Sequence, residues 1–245
     1  MIDLKTKSLA HIVIQHQQAA AVFEKYQLDF CCRGKRTLQQ ACDEKNLDVN
    51  EVLNELSQRT SPHNNSVTAD FEKMTLKQTA DYIVEKHHSY VKKELPLILS
   101  YMQKLAAKHG ERHPEMLKVF ELFAAVKEEM EMHMQKEEMI LFPRIKEIER
   151  MADEGAEIRI NQNYIQAPVN IMEQEHDHAG DMMKEINRLT GGFTPPADAC
   201  TTYRLSFAAL QAFETDLHRH IHLENNILFP KALQLFGIPG QYSLN

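Results

Sequence analysis

A chain of 245 residues with only 8 glycines, 9 prolines and no tryptophan carries 35 acidic against 28 basic side chains, a formal charge of −7. That balance argues against a nucleic-acid or anionic-membrane surface, and no apolar run approaches the roughly 18 to 20 residues of a transmembrane helix. Ala, Leu, Glu, Lys, Gln and Met favour helix throughout and strand-type alternation never persists, so the expected class is all-α.

In chain order, the N-terminus is interrupted by charge and lacks a signal-peptide core. Leu9, Ile12, Val13 and Ile14 open a helical stretch that should continue through Ala19 to Tyr26. It breaks at D-F-C-C-R-G, residues 29–34. Asp48 then reads as an N-cap, with Glu51, Val52, Leu53 and Leu56 behind it. Residues 57–70 are polar and helix-poor. The expected organisation is a small helical domain over residues 1–60, a linker over 61–74 and a helical bundle over 75–245.

Within the bundle, Thr75 and Gln78 form a capping-box pattern opening a first long helix that should end near His109 and Gly110, kinked or broken at Pro96. A second begins at Pro114 and runs past Pro143 toward Arg150. A third spans roughly residues 168–190 and stops at Gly191 and Gly192. The fourth opens after Asp198, read as its N-cap, and reaches Pro230 or a little beyond. Residues 151–167 form the longest connection. Short connections favour antiparallel neighbours, hence an up-down-up-down four-helix bundle.

One pattern occurs twice. His133, Glu137 and residues 140–143 read H-x-x-x-E-x-x-I-L-F-P, and His220, Glu224 and residues 227–230 repeat it. A histidine and a glutamate four apart lie on one helix face, where imidazole and carboxylate converge on one cation. The repeat extends upstream: Ile83, Glu85 and His88 match Ile171, Glu173 and His176 as I-x-E-x-x-H. This alignment selects His88 over its neighbour His87, and His220 over His218 and His222. Alone, any of these residues reads better as solvated surface or core. As a repeated set in phase on four helices, His88, His133, Glu137, His176, His220 and Glu224 read as ligands of two close metal ions, the carboxylates bridging. Nitrogen and oxygen donors without cysteine fit iron, and also manganese or zinc.

Other residues bear on such a site. Glu85 and Glu173, three residues before the histidines, are candidates to accept an imidazole N–H. Glu175 and Glu129 border the site or lie on a solvated face. The vicinal Cys31 and Cys32 have Arg33, Lys35 and Arg36 nearby, which should favour a reactive thiolate, against the plainer reading of a buried cysteine before a turn. Cys42 and Cys200 stand alone; the irregular spacing gives no disulfide framework, so a reducing, cytoplasmic location is expected.

Together these residues resemble the iron–sulfur cluster repair proteins, the "repair of iron centres" family of di-iron proteins, over essentially the whole chain. The resemblance rests on the D-F-C-C-x-G-K element at residues 29–35 and on the hemerythrin-like helices bearing His88, His133 with Glu137, His176, and His220 with Glu224. It implies a non-haem di-iron centre bridged by Glu137 and Glu224, with the four histidines as terminal ligands. Cys31 and Cys32 take a thiol role, and Glu129 and Glu175 fall where the family has carboxylates near the iron or its access route. It implies cytoplasmic restoration of clusters damaged by nitric oxide or peroxide, by supplying iron. The partners would be damaged or apo iron–sulfur proteins, with nitric oxide or dioxygen as small ligands; a homodimer is left open. The competing readings are a nitric oxide reductase or diatomic-gas sensor using the same centre, a structural zinc bundle, and an oxygen carrier, which would need a fifth histidine.

Overall fold

Ser8 accepts the His11 N–H at 3.2 Å and so starts the first helix, α1 (Leu9–Gln15). In this computed structural model, which describes residues 4–59, 70–155 and 161–236, the expected single stretch to Tyr26 is two helices. Residue 16 leaves helical geometry (φ −137°, ψ 84°), and α2 restarts over Ala19–Lys25. α3 (Leu38–Glu44) begins at a Thr37–Gln40 capping box. α4 (Val49–Arg59) follows Asp48, whose carboxylate accepts the Asn50 N–H at 2.8 Å.

The described residues divide into two compact units, one drawn from Met1–Thr79 with His218–Asn245, the other from Ala80–Leu217. The expected linker lies mostly on residues 60–69, outside the described residues.

In the first unit, Leu9, Ile12, Val22, Phe23, Leu38 and Leu56 are buried. Gly34 lies where a Cβ would come within 2.3 Å of the Phe30 carbonyl oxygen and 2.9 Å of the Ala10 Cβ, so only glycine lets these backbones meet. The C-terminal part of this unit holds the end of α10 (Thr201–Leu223), a π turn (Glu224–Leu228) and α11 (Phe229–Leu235). Asn226 Nδ2 donates to the Cys31 and Phe30 carbonyls at 2.9 and 3.4 Å, and the Lys231 ammonium donates to Phe71 O and Glu72 O, each at 2.9 Å. Asn226 thus ties the D-F-C-C loop, and Lys231 residues 71–72, to the C-terminal part of the unit.

The second unit takes the end of α5 (Leu76–Ile83), a π turn (Val84–His88), α6 (Ser89–His109), α7 (Glu115–Lys136), a further π turn (Glu137–Leu141), α8 (Phe142–Asp153), α9 (Asn163–Leu189) and α10 up to Leu217. α6 packs on α7 and α7 on α9, and Phe123 of α7 meets Phe213 of α10 edge-on at 5.5 Å. Val91, Leu95, Ile98, Val119, Val126, Val169, Met183 and Ile186 recur at helical spacing and fill the core.

Pro96 does not break α6. Its ring is on the exposed face, where water can satisfy the carbonyl it frees. α9 begins earlier than Pro168, at Asn163, and carries that proline inside; residues 156–160 of the expected connection lie outside the described residues. α10 starts at Thr201, leaving Cys200 rather than Asp198 in the position before the first helical residue. Among the described residues no helix is long and apolar enough to cross a membrane.

Candidate metal centre

Three turns among the described residues widen from α to π, and each holds a candidate ligand selected from the sequence: His88 ends the first, Glu137 begins the second and Glu224 begins the third. Ser89 N–H reaches Val84 O, Phe142 N–H reaches Glu137 O and Phe229 N–H reaches Glu224 O, each five residues back. Pro143 and Pro230 come two residues after the last two, each in the second position of the helix that follows. A proline lacks the N–H that would tighten the turn, so widening costs little there. Such π turns concentrate at functional sites because the extra residue re-aims side chains.

In the second unit, three helical segments aim buried side chains at one point. Glu137, fully buried, places Oε2 at 3.3 Å from His88 Nε2 and 3.4 Å from His133 Nε2. His176 Nε2 lies 3.0 Å from His133 Nε2. The donor atoms of His133, Glu137 and His176 all fall within 4.8 Å of one another. In the first unit, His220 Nε2 and Glu224 Oε1 lie 2.9 Å apart, both fully buried.

The outer ring nitrogens of His88 and His133 are spoken for. His88 Nδ1 donates to Glu138 Oε1 at 2.7 Å, and His133 Nδ1 donates to Glu175 Oε2 at 3.0 Å. Each carboxylate is also held by a lysine, Lys92 on Glu138 at 2.7 Å and Lys136 on Glu175. The hydrogen bond from His133, foremost, holds the Glu175 carboxyl down to about 2, with Lys136 assisting against the cost of burial. Burial acts to raise Glu138, but Lys92 and His88 outweigh it and keep it below the usual range. Ionised acceptors keep the proton on Nδ1, so the Nε2 lone pairs of His88 and His133 point inward at Glu137. Lone pairs converging on a buried carboxylate oxygen repel unless a cation lies among them. The donor chemistry therefore fits a nitrogen- and oxygen-ligated metal such as iron.

Other sequence candidates fall elsewhere. Glu129 pairs with His178 at 2.8 Å, and not with one of the candidate ligand imidazoles. Glu85 lies exposed beside Lys86, and Glu173 is half-buried on α9. His87 is buried, with Nδ1 at 3.0 Å from Asp216. Glu138, Lys92 and Lys136 escaped the sequence reading, which sought the imidazole acceptor three residues back on the same helix. The acceptors instead come across from a neighbouring helix.

The contacts of Cys31 run against a ready thiolate. Its Sγ lies 3.9 Å from Cys32 Sγ and 3.4 Å from Asp29 Oδ1, while Asp29 Oδ1 also accepts the N–H groups of Cys31, Cys32 and Arg33. The Cys32 hydrogen bond, burial and the Asp29 charge push the Cys31 thiol well up. Arg36 is engaged by Glu44 and by the Arg33 carbonyl. All four cysteines are unpaired thiols.

The hemerythrin HHE cation binding domain matches residues 79–232, a span containing all six proposed ligands. The Domain of Unknown function DUF542 matches residues 5–60. The iron–sulfur cluster repair protein YtfE of Yersinia pseudotuberculosis serotype IB (strain PB1/+) is 35% identical over 234 residues, covering 95% of this chain and 99% of that protein. The chain belongs to the YtfE family. A YtfE protein of Yersinia pestis (strain Pestoides F) is equally similar, at 35% over the same coverage. That of Yersinia pseudotuberculosis serotype O:1b (strain IP 31758) is 34% identical. The likeness to the YtfE family therefore spans both matched regions, not the hemerythrin-like helices alone.

Proposed function

We propose that the protein repairs iron–sulfur clusters damaged by nitrosative and oxidative stress, supplying iron from a di-iron centre. His88, His133, His176 and His220 would be terminal ligands, and Glu137 and Glu224 shared carboxylates. The observation that carries this reading is Glu137, whose one oxygen faces imidazoles from two different helical segments at 3.3 and 3.4 Å. The internal repeat and the unbroken family match over residues 79–232 support adding His220 and Glu224 to the same centre. Bound iron would supply redox change and open coordination positions.

The chain's own residues set how firmly iron is held. Glu138 and Glu175 fix the ring orientation of His88 and His133, and burial excludes water from the donor atoms. Four imidazoles and two carboxylates leave two ions less fully ligated than in a closed carrier site, which suits release to a client. We further place residues 1–60 as a separate functional domain, joined through residues 61–74 to a bundle over 75–245, with Cys31 and Cys32 receiving a transferred group from a damaged client. Free thiols suit a reducing, cytoplasmic setting. Whether the protein works as a homodimer, and whether nitric oxide or dioxygen binds at the open positions, belong to the same proposal.

The test follows recovery of activity in a nitric-oxide-damaged iron–sulfur enzyme with wild type, His133→Ala, or Cys31→Ser with Cys32→Ser. Recovery that needs His133 supports iron-dependent repair. Nitric oxide consumption without recovery would move the assignment to a reductase, and reversible gas binding without iron loss to a sensor or carrier.

A further inference from the structure

The D-F-C-C loop gathers a set of metal-ligand side chains outside the proposed iron centre. Cys31 Sγ lies 3.9 Å from Cys32 Sγ and 3.4 Å from Asp29 Oδ1. One donor atom from each of the three residues falls within 4.8 Å of the other two. Bonds of about 2.3 Å to sulfur and about 2.0–2.2 Å to oxygen, at tetrahedral angles, put two sulfurs roughly 3.8 Å apart and sulfur and oxygen roughly 3.6 Å apart. The separations in the loop are close to those of ligands around one ion, with no side chain having to turn.

Adjacent side chains ordinarily diverge, so two neighbouring sulfurs on one side need a cause. Asp29 Oδ1 accepts the N–H groups of Cys31, Cys32 and Arg33 at 3.2, 3.0 and 3.2 Å, which curls the backbone around the carboxylate. The other carboxylate oxygen takes none of these three bonds and keeps its lone pairs. Asn226 Nδ2 holds the Cys31 carbonyl at 2.9 Å, the buried Phe30 ring lies edge-on to His222 at 5.6 Å, and the Ala10 N–H donates to Gly34 O at 2.9 Å. Arg36 turns to Glu44 and to the Arg33 and Asp29 carbonyls rather than to the Asp29 carboxylate. The donors are thus positioned by their surroundings before any ion arrives. Cys31 is buried and Cys32 half-buried, so one sulfur is sheltered and the other stays within reach of solvent.

We propose that Asp29, Cys31 and Cys32 form a three-donor site for one thiophilic divalent cation of the zinc or ferrous-iron class, its fourth position left to an outside donor. Two sulfurs and one oxygen suit such an ion rather than magnesium or calcium. Cys32, burial and Asp29 keep the proton on Cys31 when no cation is there. A cation among the three donors reverses that balance, and both thiol protons leave to water as it binds. Three protein donors hold an ion less firmly than four, which suits transfer. That this ion is the group exchanged with a client rests on the repair reading; the binding itself does not.

Cobalt(II) alone is the probe, because it replaces either metal and absorbs by sulfur-to-metal charge transfer when thiolates coordinate it. The nitrogen- and oxygen-ligated iron centre contributes nothing to that band. Titration of the full, iron-loaded chain should give a thiolate band that saturates at one cobalt per chain, with iron content unchanged. Cys31→Ser and Cys32→Ser should each weaken the band and together abolish it, while Cys200→Ser and His133→Ala leave it in place. Asp29→Asn keeps an oxygen for the three N–H groups and loses only the charge. It should weaken cobalt binding about tenfold or more, the cost of losing even an outer partner of a ligand, with helical circular dichroism unchanged. A full band in a protein that restores no damaged cluster supports the site and refutes only the repair reading. No thiolate band, or a band that survives the double serine variant, would overturn the proposal.

Discussion

His133 and His176 bring their Nε2 atoms to 3.0 Å across the contact between α7 and α9. Glu175 keeps the His133 proton on Nδ1, so the facing nitrogen is a lone pair, and a second lone pair opposite it needs a proton or a cation between. Metal should therefore stabilise this packing. Iron at a hundredfold excess over its dissociation constant adds about 2.7 kcal/mol, which for a chain of this size raises Tm by roughly 5–10 °C. Differential scanning calorimetry should show this rise in wild type, and a much smaller one in His176→Ala.

The two lysine-held carboxylates should matter to iron retention although neither belongs to the ligand set. Glu138→Gln and Glu175→Gln each exchange an ionised acceptor for an amide and loosen the ring they orient. Iron affinity, read by competition with a chromogenic chelator, should fall about 10- to 100-fold in each. Glu129→Gln should change it little, since Glu129 pairs with His178.

Adjacent histidines should separate cleanly by effect. His88→Ala should cut iron loading. His87→Ala should leave iron content intact while costing about 1–2 kcal/mol of stability, because it strips the part-buried hydrogen bond to Asp216. Metal analysis beside a urea titration distinguishes the two. Loss of iron in the His87 variant would mean the repeat alignment selects the wrong residue.

Cys31 should be a slow nucleophile. Cys32, burial and Asp29 raise its thiol, so its thiolate is scarce at neutral pH and grows as the solution becomes alkaline. Alkylation mapped by mass spectrometry should modify exposed Cys200 well before Cys31. Rapid modification of Cys31 at neutral pH would show that the loop opens away from Asn226 and Asp29.

The six ligand candidates were legible because a metal site repeats residue types at helical spacing, and the repeat doubled that signal. The helices followed from periodicity and from caps such as Thr37 with Gln40. What escaped were features set by geometry across elements. The π turns at His88, Glu137 and Glu224 shift phase by a residue without any change of composition, although Pro143 and Pro230 mark the end of two of them. Glu138 serves a histidine on another helix, so no local spacing reveals it; Glu175 reads in the sequence as bordering the site, but its partnership with His133 on another helix does not show there. Pro96 and Pro168 show the converse, being breakers in sequence that a long packed helix absorbs. The basic residues beside Cys31 said nothing of what its sulfur touches, which is Cys32 and Asp29.

Two irons sharing the Glu137 and Glu224 carboxylates would be the defining property of the proposed centre. Its most direct measurement is iron per chain, with the absorption spectrum of the oxidised protein, for wild type, Glu137→Ala and Glu224→Ala. Two irons in wild type, with the coupled-pair spectrum lost in both variants, is the predicted result. A single tightly held zinc with no iron uptake, or a glutamate variant that still holds a coupled pair, would contradict it.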